Sequence, residues 1–424
     1  MAVDVLRGVA VLGILAMNIY AFALPFPAYT DPTKAGGTDP LSIGTWFFTH
    51  IFFDQKFMPI FSALFGAGLV LMWERAEARG AKIGRIWIRR EFWLLVIGLI
   101  HAYLIWMGDI LVSYALFGFL IFAFRKWSPR RLFVVGAVLL ALGVPSTMGM
   151  AGMQSWLTAQ GQAAEAKLEA GETLTEEETK IMEAWQENRR FSDPGPEMVQ
   201  ESIETHRGGW AGIAAFRAPI VIGMQTWGIA IFGLWRILSM MLWGMAAMKL
   251  GIFAAQRSPS FYRRMITFGY GIGLPLVVMS CWRLAAVDWD PPTVQAFDFM
   301  WNWFGSVAMA IGHVGVVMWI CRAEHFARWR GWMASTGRMA FTNYLMQSVL
   351  CTTLFYGYGF GLFGHVERPW LMAIVAVVWV VQVVASVWWL GRFRFGPAEW
   401  LWRTLTYGRA PAMRREPAAV PATA

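Results

Sequence analysis

His101 and Asp109 are the residues of this 424-residue sequence whose types and spacing most directly suggest chemistry. They stand in the stretch GLIHAYLIWMGDIL (98–111), where the histidine lies in an apolar run and the aspartate follows the break at Gly108. A carboxylate beside an imidazole fixes its tautomer and stabilises the imidazolium, which suits a general base. We predict that His101 is a general base oriented by Asp109. The alternative is a histidine that a neighbouring side chain satisfies and that takes part in no reaction.

A second group of ionisable residues lies in WFFTHIFFDQKFMPIF (46–61), where His50, Asp54 and Lys56 fall within seven positions. Such a group is unusual at the aromatic-rich edge of a membrane-spanning segment, where ionisable side chains are candidates for function. His50 and Asp54 are therefore further candidates for proton transfer. In the alternative interpretation, Lys56 merely extends to the membrane surface beside Asp54.

Polar residues inside other apolar runs are candidates for binding a ligand. They are Arg7, Asn18, Arg236, Arg338, Asn343 and Gln347. Arg7 and Asn18 are eleven positions apart and so lie about 20° apart around a helix, while Asn343 and Gln347 share a face at i, i+4 spacing. For Arg236 we expect a carboxylate or substrate partner. The alternative for Arg7 is a salt bridge with Asp4, and for Asn18 an interhelical hydrogen bond.

Polar faces on several apolar runs predict a hydrated tunnel between the two sides of the membrane, and Asn302 and His313 give one more such face. Bases in its outer half and arginines in its inner half would suit acyl transfer. A base takes the proton of an acceptor hydroxyl or amine, and hydrogen-bond donors stabilise the oxyanion. Arg7, Arg338 or the neighbouring basic loops would bind the phosphates of cytoplasmic acetyl-coenzyme A.

The composition places the chain among integral membrane proteins. It is 57% hydrophobic and only 15% charged, with 25 Trp and 31 Phe. The net charge of +9 does not indicate nucleic-acid binding, because the basic residues form short runs between apolar segments. Cys281, Cys321 and Cys351 are not spaced as metal ligands, and we interpret them as packing thiols. No metal is expected.

Apolar windows of roughly 20 residues, the length needed to cross a bilayer, predict an all-α polytopic bundle of about ten transmembrane helices. The windows are 5–24, 57–74, 90–107, 109–124, 131–149, 224–250, 265–287, 297–321, 339–362 and 369–391. The first is predicted to be a retained helix, since no A-x-A-like cleavage site accompanies it. Basic loops follow every even-numbered window, which predicts that both termini are cytoplasmic.

The segment 150–210 breaks the apolar pattern. Twelve acidic and five basic residues between 150 and 207 give it a net charge of −7. We interpret it as an extracytoplasmic helical insertion, a lid or spacer rather than a catalytic unit. Thr175 and Glu178 form a capping-box pattern that predicts a helix over 174–191. The predicted organisation is a first membrane half (1–149), this insertion, a second membrane half (211–393) that opens with an interfacial helix, and a basic cytoplasmic tail (394–424).

Five stretches together resemble the bacterial YeiB family, whose members carry a domain of unknown function, DUF418. They are DVLRGVAVLGILAMNI (4–19), KFMPIFSALFGAG (56–68), RREFWLLVIGLIHAYLIWMGDILVSYALFG (89–118), GRMAFTNYLMQSVL (337–350) and FGPAEWLWRTLTYGR (395–409). That family is in turn similar to transmembrane acyltransferases, namely heparan-alpha-glucosaminide N-acetyltransferase and the acyltransferase-3 proteins. Arg7 and Gly8 match the opening of those enzymes. Asn18 stands where acyltransferase-3 proteins have a catalytic histidine, so another residue must take that role here.

The resemblance implies an enzyme of the bacterial cytoplasmic membrane. It would move an acyl group, with acetyl as the expected case, from cytoplasmic acyl-coenzyme A to an extracytoplasmic carbohydrate or other small acceptor. Partners are then the lipid bilayer, the two substrates and, in a homodimer, a second copy of the chain. A proton-coupled transporter of a small metabolite is the competing hypothesis, because a polar tunnel with a protonatable histidine also suits a carrier. A scaffold that binds a partner through the acidic insertion is the third.

Overall fold

A computed structural model of the chain describes residues 1–192, 194–289 and 299–415. Within these ranges it contains sixteen α-helices. They are α1 Ala2–Ala23, α2 Pro40–Phe52, α3 Phe57–Glu77, α4 Gly84–Ile100, α5 Leu111–Ile121, α6 Pro129–Glu169, α7 Glu176–Ser192, α8 Pro196–His206, α9 Trp210–Gly223, α10 Leu234–Lys249, α11 Pro259–Ala286, α12 Phe299–Arg322, α13 Ala327–Arg338, α14 Ala340–Phe355, α15 Arg368–Arg392 and α16 Pro397–Tyr407.

Seven helical segments of the described chain are long and apolar enough to cross a membrane. The predicted class, an all-α multi-pass membrane bundle, is confirmed. The other three predicted spans coincide with α4, α5 and α14, which are shorter or more charged than that criterion allows. The count of ten and the cytoplasmic position of both termini therefore stay predictions. Residues 297 and 298 of the eighth predicted span lie outside the described residues.

Several helices begin with a side-chain cap followed by proline. Asp39 accepts hydrogen bonds from the backbone N–H groups of Leu41 and Ser42, and Pro40 occupies the first helical position. Ser128 and Ser258 cap α6 and α11 in the same way. The first N–H groups of a helix have no partner within it, and proline lacks an N–H, so these residues fix where the helices start.

The connection from α4 to α5 places the first candidate pair. After Ile100 the helix widens into one π-helical turn, His101–Ile105, and the chain becomes extended at Trp106. A Cβ atom on Gly108 would lie 2.2 Å from the Trp106 indole, so only glycine fits beneath that ring. π-Helical turns occur frequently at functional sites.

Close helix crossings without side chains between the backbones hold the bundle together. Where α1 crosses α13, a Cβ on Gly337 would lie 1.8 Å from the Asp4 carbonyl oxygen, and Gly8 faces the carbonyl of Met333. At the crossing of α3 and α10, a Cβ on Gly244 would lie 1.8 Å from the Ala63 carbonyl oxygen. Small residues at such crossings let membrane helices gain dispersion contacts over a long interface.

The insertion is joined to the bundle by a continuous helix. α6 spans 41 residues and crosses the boundary that we placed after residue 149. The predicted capping box is confirmed, since the Glu178 N–H donates to the Thr175 hydroxyl oxygen (3.2 Å) and the Thr175 N–H donates to Glu178 Oε2 (2.9 Å). α7 packs back on α6, where the Trp185 ring covers Gly161.

Two ends of the bundle can be distinguished. At the end that carries the insertion, here the insertion end, the Gly357 N–H donates to the His206 carbonyl (2.8 Å) and the Gly364 N–H to the Ala23 carbonyl (2.7 Å). The other end, here the basic end, holds the start of α1 and α16. There the Trp402 indole N–H donates to the Arg90 carbonyl (2.9 Å).

Glu399 attaches α16 to the start of α14. Its Oε1 accepts the backbone N–H groups of Phe341 (2.7 Å) and Thr342 (3.1 Å). Burial raises the pKa of the Glu399 carboxyl above its ordinary value of 4.5, against the hydrogen bonds that lower it. The folded protein thus holds this proton more strongly than the unfolded chain does.

This raised pKa predicts a pH dependence of stability. The contribution of Glu399 is fully present below pH 4.5 and is lost as the pH rises through the folded-state pKa. We expect Glu399→Gln, which keeps an acceptor for the Phe341 N–H, to flatten this component of the Tm between pH 5 and pH 8 in a thermal-unfolding series. Glu324→Gln, a change at an exposed glutamate, is the control. Equal slopes in wild type and Glu399→Gln would refute the prediction.

Candidate active site

The structure brings His101 and Asp109 into contact. His101 Nδ1 lies 2.7 Å from Asp109 Oδ2, and each side chain is 1% exposed. Asp109 Oδ1 accepts the Val112 N–H (2.9 Å) at the start of α5, so the carboxylate is itself held in place. The π-helical turn and the non-helical segment that follows it bring two side chains eight positions apart within hydrogen-bond distance. This is the geometry of an oriented base.

Ser348 of α14 completes a hydrogen-bonded row with this pair. Its Oγ lies 2.8 Å from His101 Nε2. We assign the Nδ1 proton to the bond with Asp109, which leaves Nε2 to accept the Ser348 hydroxyl proton. A hydroxyl, an imidazole and a carboxylate in this order are a nucleophile, a base and its orienter.

Sequence reasoning missed Ser348. The i, i+4 pair of amides on α14 drew attention to one face, and Ser348 lies on an adjacent one. Tyr344, four positions earlier, lies beside it and its ring centroid is 5.3 Å from that of His101. The i, i+4 spacing of Tyr344 and Ser348 was therefore the signal available in the sequence, although it does not indicate that His101 is their neighbour.

Aromatic side chains enclose the row on the insertion-end side. The backbone N–H of Trp106 donates to the His101 carbonyl (2.8 Å), and the centroids of the indole and imidazole rings are 6.4 Å apart. Phe22 of α1 stacks on Trp106 at 3.9 Å. Asn18 precedes Phe22 by one turn on the same side of α1 and is half-buried, and its side-chain amide makes no hydrogen bond within the described chain. Its amide is therefore an unengaged donor close to this enclosure.

His50 and Asp54 belong to a separate network. Asp54 accepts the Tyr29 hydroxyl (2.9 Å) and the Asn302 amide (2.8 Å). Lys56 Nζ donates to the His50 carbonyl (2.6 Å) and is fully buried, which corrects the alternative that it extends to the membrane surface. Among the described residues no hydrogen bond joins this network to His101. It ties the start of α3 to α12 and to the loop before α2.

Arg236 has no carboxylate partner within ion-pair distance in the described part of the chain. Its Nη1 donates to the Trp303 carbonyl (3.1 Å), and its Nη2 donates to the Gln55 carbonyl (3.3 Å) and the Ser306 hydroxyl (2.5 Å). The expected carboxylate is thus replaced by three neutral oxygen atoms within the described residues, while a substrate partner for Arg236 stays a prediction. Through the Gln55 carbonyl, Arg236 lies beside the Asp54 network.

Asn343 and Gln347 connect helices. The Gln347 amide donates to the Val11 carbonyl of α1 (3.0 Å) and to Gln382 Oε1 of α15 (2.9 Å). The Asn343 amide donates to the Ser386 hydroxyl (3.0 Å). Both side chains are buried. The polar face of α14 thus packs against α1 and α15 instead of lining a tunnel, which corrects our expectation for these residues.

Arg7 and Arg338 flank one helix crossing at the basic end. Arg7 pairs with Asp4 (3.1 Å), as the alternative interpretation predicted, and both side chains are 30% exposed. Arg338 is exposed and follows Gly337, which contacts Gly8. Both arginines thus adjoin residues of the same helix crossing, Arg7 with a partly exposed side chain and Arg338 exposed.

Comparisons with known proteins identify relatives of this chain. Residues 247–409 match the family model described as a protein of unknown function, DUF418. The chain is 34% identical over 422 residues to the uncharacterized protein YeiB of Escherichia coli, covering 97% of each chain. It is 30% identical over 420 residues to the uncharacterized protein YxaH of Bacillus subtilis, covering 95% of this chain and 93% of the relative. No solved structure matches it.

Proposed function

The chain belongs to the YeiB family of DUF418 membrane proteins, and for this member we propose acyl transfer at the row Ser348, His101 and Asp109. An acyl group, acetyl in the expected case, moves from cytoplasmic acyl-coenzyme A to a hydroxyl or amine of an extracytoplasmic acceptor such as a sugar. The observation that supports this proposal is the buried hydrogen-bonded row itself. A serine, an imidazole and a carboxylate in sequence are suited to acyl chemistry.

In the first half-reaction Ser348 Oγ attacks the thioester carbonyl while His101 Nε2 takes the hydroxyl proton. The new bond joins Oγ to the acyl carbon, the carbon–sulfur bond breaks, and the coenzyme A sulfur leaves with the proton from Nε2. Asp109 stabilises the transient imidazolium through Nδ1. The half-buried Asn18 amide is the candidate donor to the oxyanion. The Gln347 amide is not available for this role, because it already donates to Val11 and Gln382.

In the second half-reaction the acceptor hydroxyl attacks the acyl-serine, and His101 takes its proton and returns it to Ser348 Oγ. The acyl-enzyme separates the two substrates in time, so the thioester and the acceptor need not meet. Arg7 and Arg338 at the basic end supply positive charge for the coenzyme A phosphates. The acceptor reaches the row from the insertion end.

Ser348→Ala tests the covalent step. We expect wild-type protein, incubated with [14C]acetyl-coenzyme A without acceptor and quenched in acid, to carry label on the peptide that contains Ser348. Ser348→Ala should lose this label and lower acetyl transfer at least about a hundredfold, because the nucleophile is absent. Ser386→Ala, which removes another buried hydroxyl, should keep the label.

The outcomes separate the hypotheses. Transfer that persists in Ser348→Ala without any label would overturn the acyl-serine and leave His101 as a base acting directly on the acceptor. Folded wild-type protein that neither binds nor cleaves acyl thioesters would overturn acyl transfer. Proton-coupled uptake of metabolites into proteoliposomes would then be the assay for the competing carrier hypothesis.

A further inference from the structure

Arg217 is a buried arginine that is only partly engaged. It is 1% exposed and forms no ion pair with a described carboxylate. Its Nη1 donates to the Ile105 carbonyl (3.0 Å) and lies 3.5 Å from the Tyr356 hydroxyl, and its Nε donates to the Ile213 carbonyl (3.3 Å). Its Nη2 is buried without a hydrogen-bond partner among the described residues. Two N–H bonds of a cation therefore remain free in the interior.

Trp106 carries a second free donor on the same segment. Its indole Nε1 is buried and has no partner in the described chain, although its ring packs between Phe22 and Gly108. The Ile105 carbonyl that binds Arg217 belongs to the peptide unit directly before Trp106. One donor thus belongs to a guanidinium that holds Ile105, and the other to the next residue, Trp106, whose backbone N–H donates to the His101 carbonyl.

The other fully buried arginines show what a structural role looks like. Arg368 uses Nη1 on the Gly37 carbonyl (2.9 Å) and Nη2 on the Ala35 carbonyl (2.5 Å). Arg236 likewise engages both terminal nitrogens. Leaving a buried charged donor unpaired is costly. Among the described residues, Arg236 and Arg368 leave only Nε without a partner, whereas Arg217 leaves the terminal Nη2, with its two N–H bonds, available for a ligand.

We propose that Arg217 and Trp106 form an anion subsite that binds a carboxylate or phosphate group of the acceptor. The inference rests on the proposed function, since it assigns a chemical class to the acceptor of that reaction. A guanidinium held by backbone carbonyls is preorganised for an oxyanion, and an indole N–H adds a second donor. α9 is anchored here by the Trp210 indole, which donates to the Leu104 carbonyl (2.8 Å). The anion would lie on the insertion-end side, with the acceptor hydroxyl directed toward His101.

Binding of matched sugars tests the subsite without turnover. The full chain in dodecyl maltoside is titrated with glucose, glucuronate and glucose 6-phosphate by calorimetry. We expect at least one anionic sugar to bind roughly tenfold or more tightly than glucose, the ratio for a charge-assisted hydrogen bond. Arg217→Gln should remove the preference, and Arg217→Lys should restore part of it.

Trp106→Phe provides a variant that keeps the ring and removes only the N–H. We expect it to weaken anion binding severalfold, whereas Trp235→Phe, at another buried indole without a partner, should leave it unchanged. Dihexanoyl phosphatidic acid is a further probe. If it alone shows Arg217-dependent binding, the anion belongs to a lipid-borne acceptor; if the sugars show it, the acceptor is soluble.

Two results would overturn the subsite. One is equal binding, or no binding, of glucose and all three anions at millimolar concentration. The other is an anion preference that persists in folded Arg217→Gln. Failure of the proposed function looks different: an intact, Arg217-dependent anion preference combined with no thioester cleavage would remove acyl transfer and leave an anion-binding site.

Discussion

Replacement of His101 by alanine is expected to lower acyl transfer at least about a thousandfold, while the protein still folds and enters the membrane. The imidazole hydrogen-bonds to both Ser348 and Asp109 and so connects the two. Without it, the serine keeps its proton and the carboxylate has nothing to orient. Folding should tolerate the change because α4 is held by many other contacts of its apolar face.

Acetyl transfer and thermal stability in detergent are the two measurements. His50→Ala and His313→Ala are the matched controls, and we expect both to retain transfer. Asp109→Asn should lose nearly as much activity as His101→Ala, because the amide keeps an acceptor for the Val112 N–H but no longer selects the tautomer. Full transfer by His101→Ala would move the role of base to His50 or His313.

A single added methyl group at Gly337 is expected to have the largest effect on folding. Its Cβ would lie 1.8 Å from the Asp4 carbonyl oxygen and 2.7 Å from the Gly8 nitrogen, both backbone atoms. No side chain can move aside, so α1 and α13 must separate along their crossing. We expect Gly337→Ala to lower the free energy of unfolding by about 3 kcal/mol or more.

Gly331→Ala is the matched control in the same helix, because a Cβ there meets nothing within 4 Å. It should raise stability slightly through helix propensity. Folded yield after size-exclusion chromatography and the thermal midpoint would be compared for both variants. Gly244→Ala at the second crossing should behave like Gly337→Ala. A Gly337→Ala protein as stable as Gly331→Ala would refute the close crossing of α1 and α13.

Hydropathy and charge were sufficient to predict the membrane class, because lipid burial depends on composition over about 20 residues. Hydropathy and charge were less informative about where a helix ends when the helix continues beyond its apolar segment. α6 continues beyond residue 149 although its hydropathy falls, since backbone hydrogen bonds sustain a helix in water as in lipid. The Thr175 capping box was predicted correctly because it is a local signal that needs no tertiary partner. Signals that depend on a partner elsewhere in the chain were less reliable.

The site was predictable only where its residues are close in the chain. His101 and Asp109 are eight positions apart, and one bend brings them together. Ser348 is 247 positions from His101, and nothing in its spacing reveals which helix α14 will meet. Helix-face arithmetic correctly grouped Asn343 with Gln347, but it does not state whether a polar face meets a ligand or, as here, Gln382 and other helix residues.

The length of α6 has a mechanical consequence. Its 41 residues extend about 60 Å, twice the thickness of the hydrocarbon layer. Pro145 lies inside the helix and removes one of its backbone hydrogen bonds, which makes that position its weakest joint. Roughly 36 Å of rigid rod follows, so a change of about 10° at the joint would displace the far tip by about 6 Å. We therefore expect small angular changes at Pro145 to move the acidic insertion (150–210) by several ångströms relative to the bundle.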